Sequence, residues 1–234
     1  MLNNQTLCNR AIDTALGSYG AVQYRDGNTT YAPTYEWNVM LWKNNAWHCD
    51  CLGFVHCLVN GFTGDKKKLG GGAVMDEFVL ASDEATTLNK YCTNISKDFT
   101  KLTKGELLYM DGHVGLYVGE IEPFKDGRIF NVAECTMAFG GGGMLTYVAS
   151  NGGRFNHKGG ARVGTWTAHG KFMCIDYTAK KEEPEITPST ILNICKDVIA
   201  NKYGNNPQRE KTITKKFGAK VYRKVQDIIN ILYR

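Results

Sequence analysis

A cysteine at the start of a helix, a histidine opening a strand and a carboxylate on a later strand are the ingredients of thiol catalysis, and this chain offers one of each. In His48-Cys-Asp-Cys-Leu-Gly-Phe-Val-His-Cys-Leu-Val59, the apolar residues Phe54, Val55, Leu58 and Val59 recur at helical spacing after Cys51. The pattern predicts a short amphipathic helix that begins at Cys51. Unpaired backbone N–H groups and the positive end of the helix dipole favour an anion there. They lower the thiol pKa and supply the thiolate, which is the nucleophile. Asp50 reads as the N-cap, and Gly53 leaves room for a substrate carbonyl to approach the backbone. For a cysteine taken alone, the competing reading is a buried core residue.

A thiolate needs a general base, and the base needs a third group to orient it. His113 is the best candidate base, because it opens a predicted strand next to Asp111-Gly112, a strong hairpin signal between Glu106–Met110 and His113–Val118. His48 and His56 are too close to Cys51 in sequence, and on a helix His56 would lie about 140° away from it. His157 and His169 read as surface or structural histidines. The orienting residue is expected from the strand around Phe130-Asn-Val-Ala-Glu134: Glu134 could fix the imidazole tautomer, and Asn131 is the polar alternative. A zinc site among His48, Cys49, Cys51, His56 and Cys57 is disfavoured, since the spacings of structural sites are missing. No metal and no organic cofactor is expected.

The elements that would position these groups fall in two blocks. A helix is expected over residues 3–16 and ends at Gly17-Ser-Tyr-Gly20. Residues 19–47 are rich in Tyr and Trp, including Tyr24, Tyr31, Tyr35, Trp37, Trp42 and Trp47, and suit either an aromatic groove wall or simple packing. A Gly- and Lys-rich loop spans 61–72, and helical periodicity returns over 76–91, with Phe78, Val79, Ala85 and Leu88 as candidate core. After the hairpin, strands are expected at 128–133, 144–148, 163–167 and 172–177. Helices followed by an antiparallel sheet predict an α+β domain over 1–177. A charged, proline-containing linker over 178–188 leads to a small all-α module over 189–234, with amphipathic helices around Ile191–Ile199 and Val221–Leu232.

Composition narrows the class. The 234 residues are 43% hydrophobic and 22% charged, which is ordinary for a globular protein. No basic and apolar leader opens the chain and no run approaches a membrane span, so neither a signal peptide nor a membrane partner is expected. Eight cysteines in such a chain read as free thiols, with Cys8, Cys92, Cys174 and Cys195 acting as small hydrophobes. The net charge of +5 is uneven: residues 189–234 hold ten Lys or Arg against three acids, a net of +7, and the remainder has a net of −2. Nucleic-acid binding through the basic tail is a rival function, but no nucleic-acid motif accompanies the charge.

Asp50-Cys51-x-Gly53-Phe54, then Gly105-Glu-Leu107, then Gly112-His-Val-Gly-x-Tyr-Val-Gly119 and Glu134-x-Thr136 together resemble the NlpC-type, papain-like cell-wall peptidases, in a variant similar to phage endolysins. Leu52 departs from the serine usual there. The tail, from Val198 to Arg209 and Tyr222 to Leu232, is similar to a single Cpl-seven-type wall-binding repeat, with Asn206 in place of a second glycine. The resemblance implies a papain-like NlpC-type fold and hydrolysis of a stem-peptide amide in bacterial peptidoglycan. Cys51 would be the nucleophile, His113 the base and Glu134 the orienting residue. It also implies substrate contacts from Asp50, Tyr203 and Arg209, a Gram-positive wall with its anionic polymers as partner, and residence in the host cytoplasm until lysis. CHAP amidases share the Cys-then-His order, so N-acetylmuramoyl-L-alanine amidase chemistry is an alternative, as is a wall binder without activity.

Overall fold

Asn3 starts the first helix by accepting the Thr6 N–H at 2.7 Å, so α1 (Asn4–Ala15) begins with one of its orphan donors satisfied. It is preceded by the short β1 (Leu2–Asn3). These and the following elements come from a computed structural model that describes residues 1–24, 39–76, 78, 83–178 and 188–232. The expected aromatics Tyr31, Tyr35 and Trp37, the core candidate Val79 and most of the linker lie outside the described residues.

Three short strands, β2 (Val22–Tyr24), β3 (Leu41–Lys43) and β4 (Ala46–Cys49), form a small sheet in the order β2-β4-β3. Trp47 anchors it, packing edge-on against Trp42 and Phe62, and Tyr19 in turn meets Phe62. The aromatic stretch therefore serves packing where it is described. Then come α2 (Cys51–Val59) and α3 (Glu84–Tyr91). The helix expected over 76–91 is shorter than its periodicity indicated, because Asp83 caps it by accepting the Thr86 N–H at 2.6 Å.

The main sheet has eight strands, all paired antiparallel, and it curls around the helices. In chain order these are β5 (Cys92–Ser96), β6 (Leu107–Met110), β7 (His113–Tyr117), β8 (Val132–Thr136), β9 (Gly142–Val148), β10 (Gly153–Phe155), β11 (Arg162–Thr165) and β12 (Ala168–Phe172). Their spatial order is β11-β10-β9-β8-β7-β6-β12-β5. A last strand, β13 (Ile175–Asp176), pairs with β1. The Asp111-Gly112 turn joins β6 to β7 with Met110 opposite His113. Two strand expectations are corrected. The strand expected at 128–133 lies at Val132–Thr136, so Glu134 is mid-strand, and the one expected at 172–177 is replaced by β12 and β13 around a turn at Met173-Cys174. That turn exposes Cys174, which is no core residue.

The two sheet faces carry different contents, as the period of two requires. Val114, Leu116, Ala133 and Cys135 join α1 and α2 in the main core, with Leu7, Phe54, Val55 and Leu58. Val132 instead packs with Phe99, Leu108, Val148 and Trp166 in a second cluster. Arg10 links the two helices by donating to the Leu58 carbonyl at 2.8 Å.

The chain divides into two compact units, Met1–Thr178 and Ala179–Arg234. The second contains α4 (Pro188–Ile199), α5 (Gln208–Phe217) and α6 (Ala219–Leu232) around Ile194, Cys195, Val198, Ile213, Val221 and Val225. The middle helix escapes a hydrophobic reading because Ile213 is its one buried residue. No helix among the described residues is long and apolar enough to cross a membrane.

Gly142 opens β9 at φ 113°, and a Cβ there would collide with the Val22 carbonyl oxygen of the small sheet. Gly142→Ala is expected to lower unfolding stability by about 1–3 kcal/mol in denaturant titrations, through strain and displacement of β2.

Candidate active site

Asp50 caps α2 as its sequence predicts: its Oδ1 accepts the Gly53 N–H at 2.6 Å. The helix itself differs from expectation. All nine of its residues are buried, so it is a central core helix and not an amphipathic one. Cys51, its first residue, is 3% exposed. Burial pushes the thiol well above its ordinary range, and the charges of Asp50 and Glu84 push the same way. The Val114 backbone N–H at the sulfur works against them. The helix start therefore does not make Cys51 acidic in this state, because loss of hydration outweighs a dipole worth about 0.3–1 kcal/mol. The thiol donates to Glu84 Oε1 at 3.7 Å, and among the described residues it makes no hydrogen bond to His113.

His113 and Glu134 do meet. Position 113 lies on β7 and position 134 on the adjacent β8, and His113 Nε2 lies 2.5 Å from Glu134 Oε2. Gly115, between them on the same face, provides the space: a Cβ there would press on both Glu134 and Trp166. Trp166 stacks on the imidazole with ring centres 5.5 Å apart. Since Nε2 is engaged, Nδ1 is the nitrogen left for a substrate or thiol, and it has no hydrogen-bond partner among the described residues.

Glu134 is fully buried, and one cation anchors it. Arg154 on β10, 5% exposed, directs Nε to both carboxylate oxygens at 3.1 Å and an amino nitrogen to Oε2 at 2.9 Å. It also donates to Thr136 Oγ1 at 2.9 Å. Burial alone would raise the Glu134 carboxyl. The hydrogen bond and charge of His113, with the charge and hydrogen bonds of Arg154, more than offset that and hold it below the usual carboxylate range.

The other expected residues fall elsewhere. Asn131 accepts from the Val148 N–H at 2.7 Å and donates to the Val148 carbonyl at 3.0 Å, so it ties two backbones together and leaves His113 to Glu134. His169 is no surface histidine. It is buried on β12, with Nδ1 2.7 Å from Glu106 Oε2 and Nε2 3.1 Å from the Asp98 carbonyl. His56 is buried against Thr87 Oγ1 at 3.0 Å. In the helical unit, Arg209 Nε donates to the Gly204 carbonyl at 3.0 Å and Tyr203 packs against the small core, so both are partly committed to holding their turn. Among the described residues no group of three His, Cys, Asp or Glu is placed to hold a metal ion. Sequence reasoning missed Glu84, Arg154 and Trp166. Arg154 lies between the strands expected at 144–148 and 163–167, just after the Gly152-Gly153 loop, and carried no signal; neither did Glu84.

Arg154→Met would strip the buried carboxylate of its cation and is expected to cost about 3–5 kcal/mol in denaturant unfolding. Because the folded Glu134 titrates below its unfolded value, its contribution to stability is present above the ordinary carboxylate range and is lost as pH falls through the folded value. Stability should therefore drop on acidification below about pH 4, and Glu134→Gln should flatten that dependence. No protein-family model matches the chain, and no curated protein or solved structure is significantly similar to it, so the chemistry of the site rests on its own residues.

Proposed function

We propose that residues 1–178 are a cysteine-dependent hydrolase of the papain-like NlpC type, cleaving an amide in the stem peptide of bacterial peptidoglycan, and that the helical unit binds the wall. One observation carries this reading: Cys51 begins a capped helix with its sulfur at the N–H of Val114, the residue after His113, whose imidazole is held by the buried Glu134. A buried His–Glu–Arg array is a costly arrangement for structure alone, and β7 connects it to the thiol through the Val114 N–H.

The thiol proton passes to His113 Nδ1 as sulfur attacks the carbonyl carbon. On β7 the Val114 side chain faces α2 whereas the His113 ring stacks on Trp166 on the other face, so that step requires the imidazole to swing around the start of the strand toward the sulfur when substrate binds. Gly53 N–H is engaged by Asp50, which leaves the N–H groups of Cys51 and Leu52 to hold the oxyanion. The imidazolium, stabilised by Glu134, gives its proton to the leaving amine. Water activated by His113 then hydrolyses the thioester, releasing the acid and restoring the thiol. Amidase chemistry at the lactyl–alanine bond uses the same steps. In the helical unit, exposed Lys196, Lys202, Lys211, Lys215, Lys216, Arg223 and Lys224 support a contact with anionic wall polymers. An endolysin of this kind waits in the host cytoplasm until lysis.

Mass spectrometry of fragments released from purified Gram-positive peptidoglycan tests the chemistry. New amino termini within stem peptides are expected from the wild type, and none from Cys51→Ala or His113→Ala. His169→Ala should lower stability and leave the cleavage pattern intact. Release of free lactyl groups would indicate the amidase, and no release from any wall would remove the enzymatic reading. Binding to purified walls should weaken as salt rises and exceed binding to duplex DNA at every salt concentration; preference for DNA would favour the nucleic-acid function instead.

A further inference from the structure

Glu84 is the feature of the site that its proposed chemistry does not use. Its carboxylate sits in the first turn of α3, 3.7 Å from the Cys51 sulfur, and accepts the thiol proton's hydrogen bond. Among the described residues no lysine, arginine or histidine pairs with it, and the thiol is its sole hydrogen-bond partner there.

A negative charge at this distance opposes each charged species of thiol hydrolysis. It disfavours the thiolate, and it disfavours the oxyanion that forms on the substrate. The second carboxylate nearby, Asp50, is occupied by the Gly53 N–H, so Glu84 is the uncompensated one. A base role does not account for it: an ordinary carboxylate is several pKa units too weak to take a proton from a buried thiol, and His113 is the better acceptor. The position makes chemical sense when the substrate itself brings a cation.

We infer that Glu84 is a specificity-determining residue that binds a primary ammonium group of the substrate, next to the amide attacked by Cys51. The inference rests on Cys51 as the nucleophile and narrows the substrate to peptides with a free amine beside the scissile bond. Binding exchanges one hydrogen bond for another. The ammonium donates to Glu84 Oε1 in place of the thiol, which is released to turn toward His113 Nδ1, and the local negative charge is neutralised as the thiolate forms. A peptide whose amine is acylated leaves the thiol engaged with Glu84 and the carboxylate without a counter-charge, and is a poor ligand for that reason.

The test uses two probes, N-acetyl-L-alanyl-γ-D-glutamyl-L-lysyl-D-alanine with its lysine amine free, and the same peptide with that amine acetylated. Affinity is measured by calorimetry on the full chain carrying Cys51→Ala, which cannot turn the peptide over. The free-amine peptide is expected to bind about tenfold tighter, and adding Glu84→Gln is expected to erase the difference. Equal affinities, no binding of either peptide, or a preference that survives Glu84→Gln would each overturn the inference. Turnover by the protein with Cys51 intact is read separately. Discrimination in binding without any cleavage would leave ammonium recognition standing and remove the hydrolase reading, whereas cleavage of both peptides at one rate would do the reverse.

Discussion

A carboxylate with no solvent exposure, standing in the middle of a β-strand, is the constraint on which the larger unit depends. An isolated ion there would cost several kcal/mol after relaxation. Glu134 is tolerated because both oxygens are occupied, by the Arg154 fork on one side and His113 on the other. Glu134 and its two partners come from three different strands, β8, β7 and β10, and none can shift without exposing the others to an unpaired charge. Gly115 and the Trp166 ring complete the enclosure, so the orientation of the imidazole is inherited from the sheet register rather than from the loop next to it.

The proposed nucleophile obeys a different balance. Helix position alone argues for an acidic Cys51, and the cap that should produce it is present. The structure gives the opposite result because α2 is a core helix. A dipole contributes a fraction of a pKa unit to about one, while removing water from a sulfur anion contributes several. Asp50 and Glu84 add to the penalty. Burial thus favours the neutral thiol, and the proposed chemistry would have to begin with a change in what surrounds the sulfur, either the approach of His113 or the arrival of positive charge.

Much of this was legible in advance, for identifiable reasons. The cap of α2 and the hairpin at Asp111-Gly112 rest on two to four consecutive residues, and both formed where the sequence placed them. Cys51, His113 and Glu134 could be named because each is a chemically reactive type at an element boundary or strand. The amphipathic reading of α2 failed because periodicity shows which positions are apolar and not how many sides are covered. His169 is the structural histidine that was one of its two expected readings, but its partner was not legible, since Glu106 is 63 positions away and a buried pair of that kind leaves no local trace. Arg154 and Glu84 were invisible for the same reason: their roles exist only once β10 lies near β8 and α3 lies against α2.

The two buried histidine–glutamate pairs show why residue type alone does not define a site. His169 has both ring nitrogens occupied, one by Glu106 and the other by the Asp98 carbonyl, and Phe99 covers its ring. It can neither accept nor deliver a proton without breaking a buried contact, so it acts as a brace between β12, the start of β6 and the turn after β5. His113 also has a glutamate partner, Glu134, and similar burial, but among the described residues only one of its ring nitrogens is hydrogen-bonded, and its backbone neighbour is the group that meets the Cys51 sulfur. The difference between a structural imidazole and a candidate base here is a single unfilled lone pair, and its position is set by where the hairpin turn ends and β7 begins.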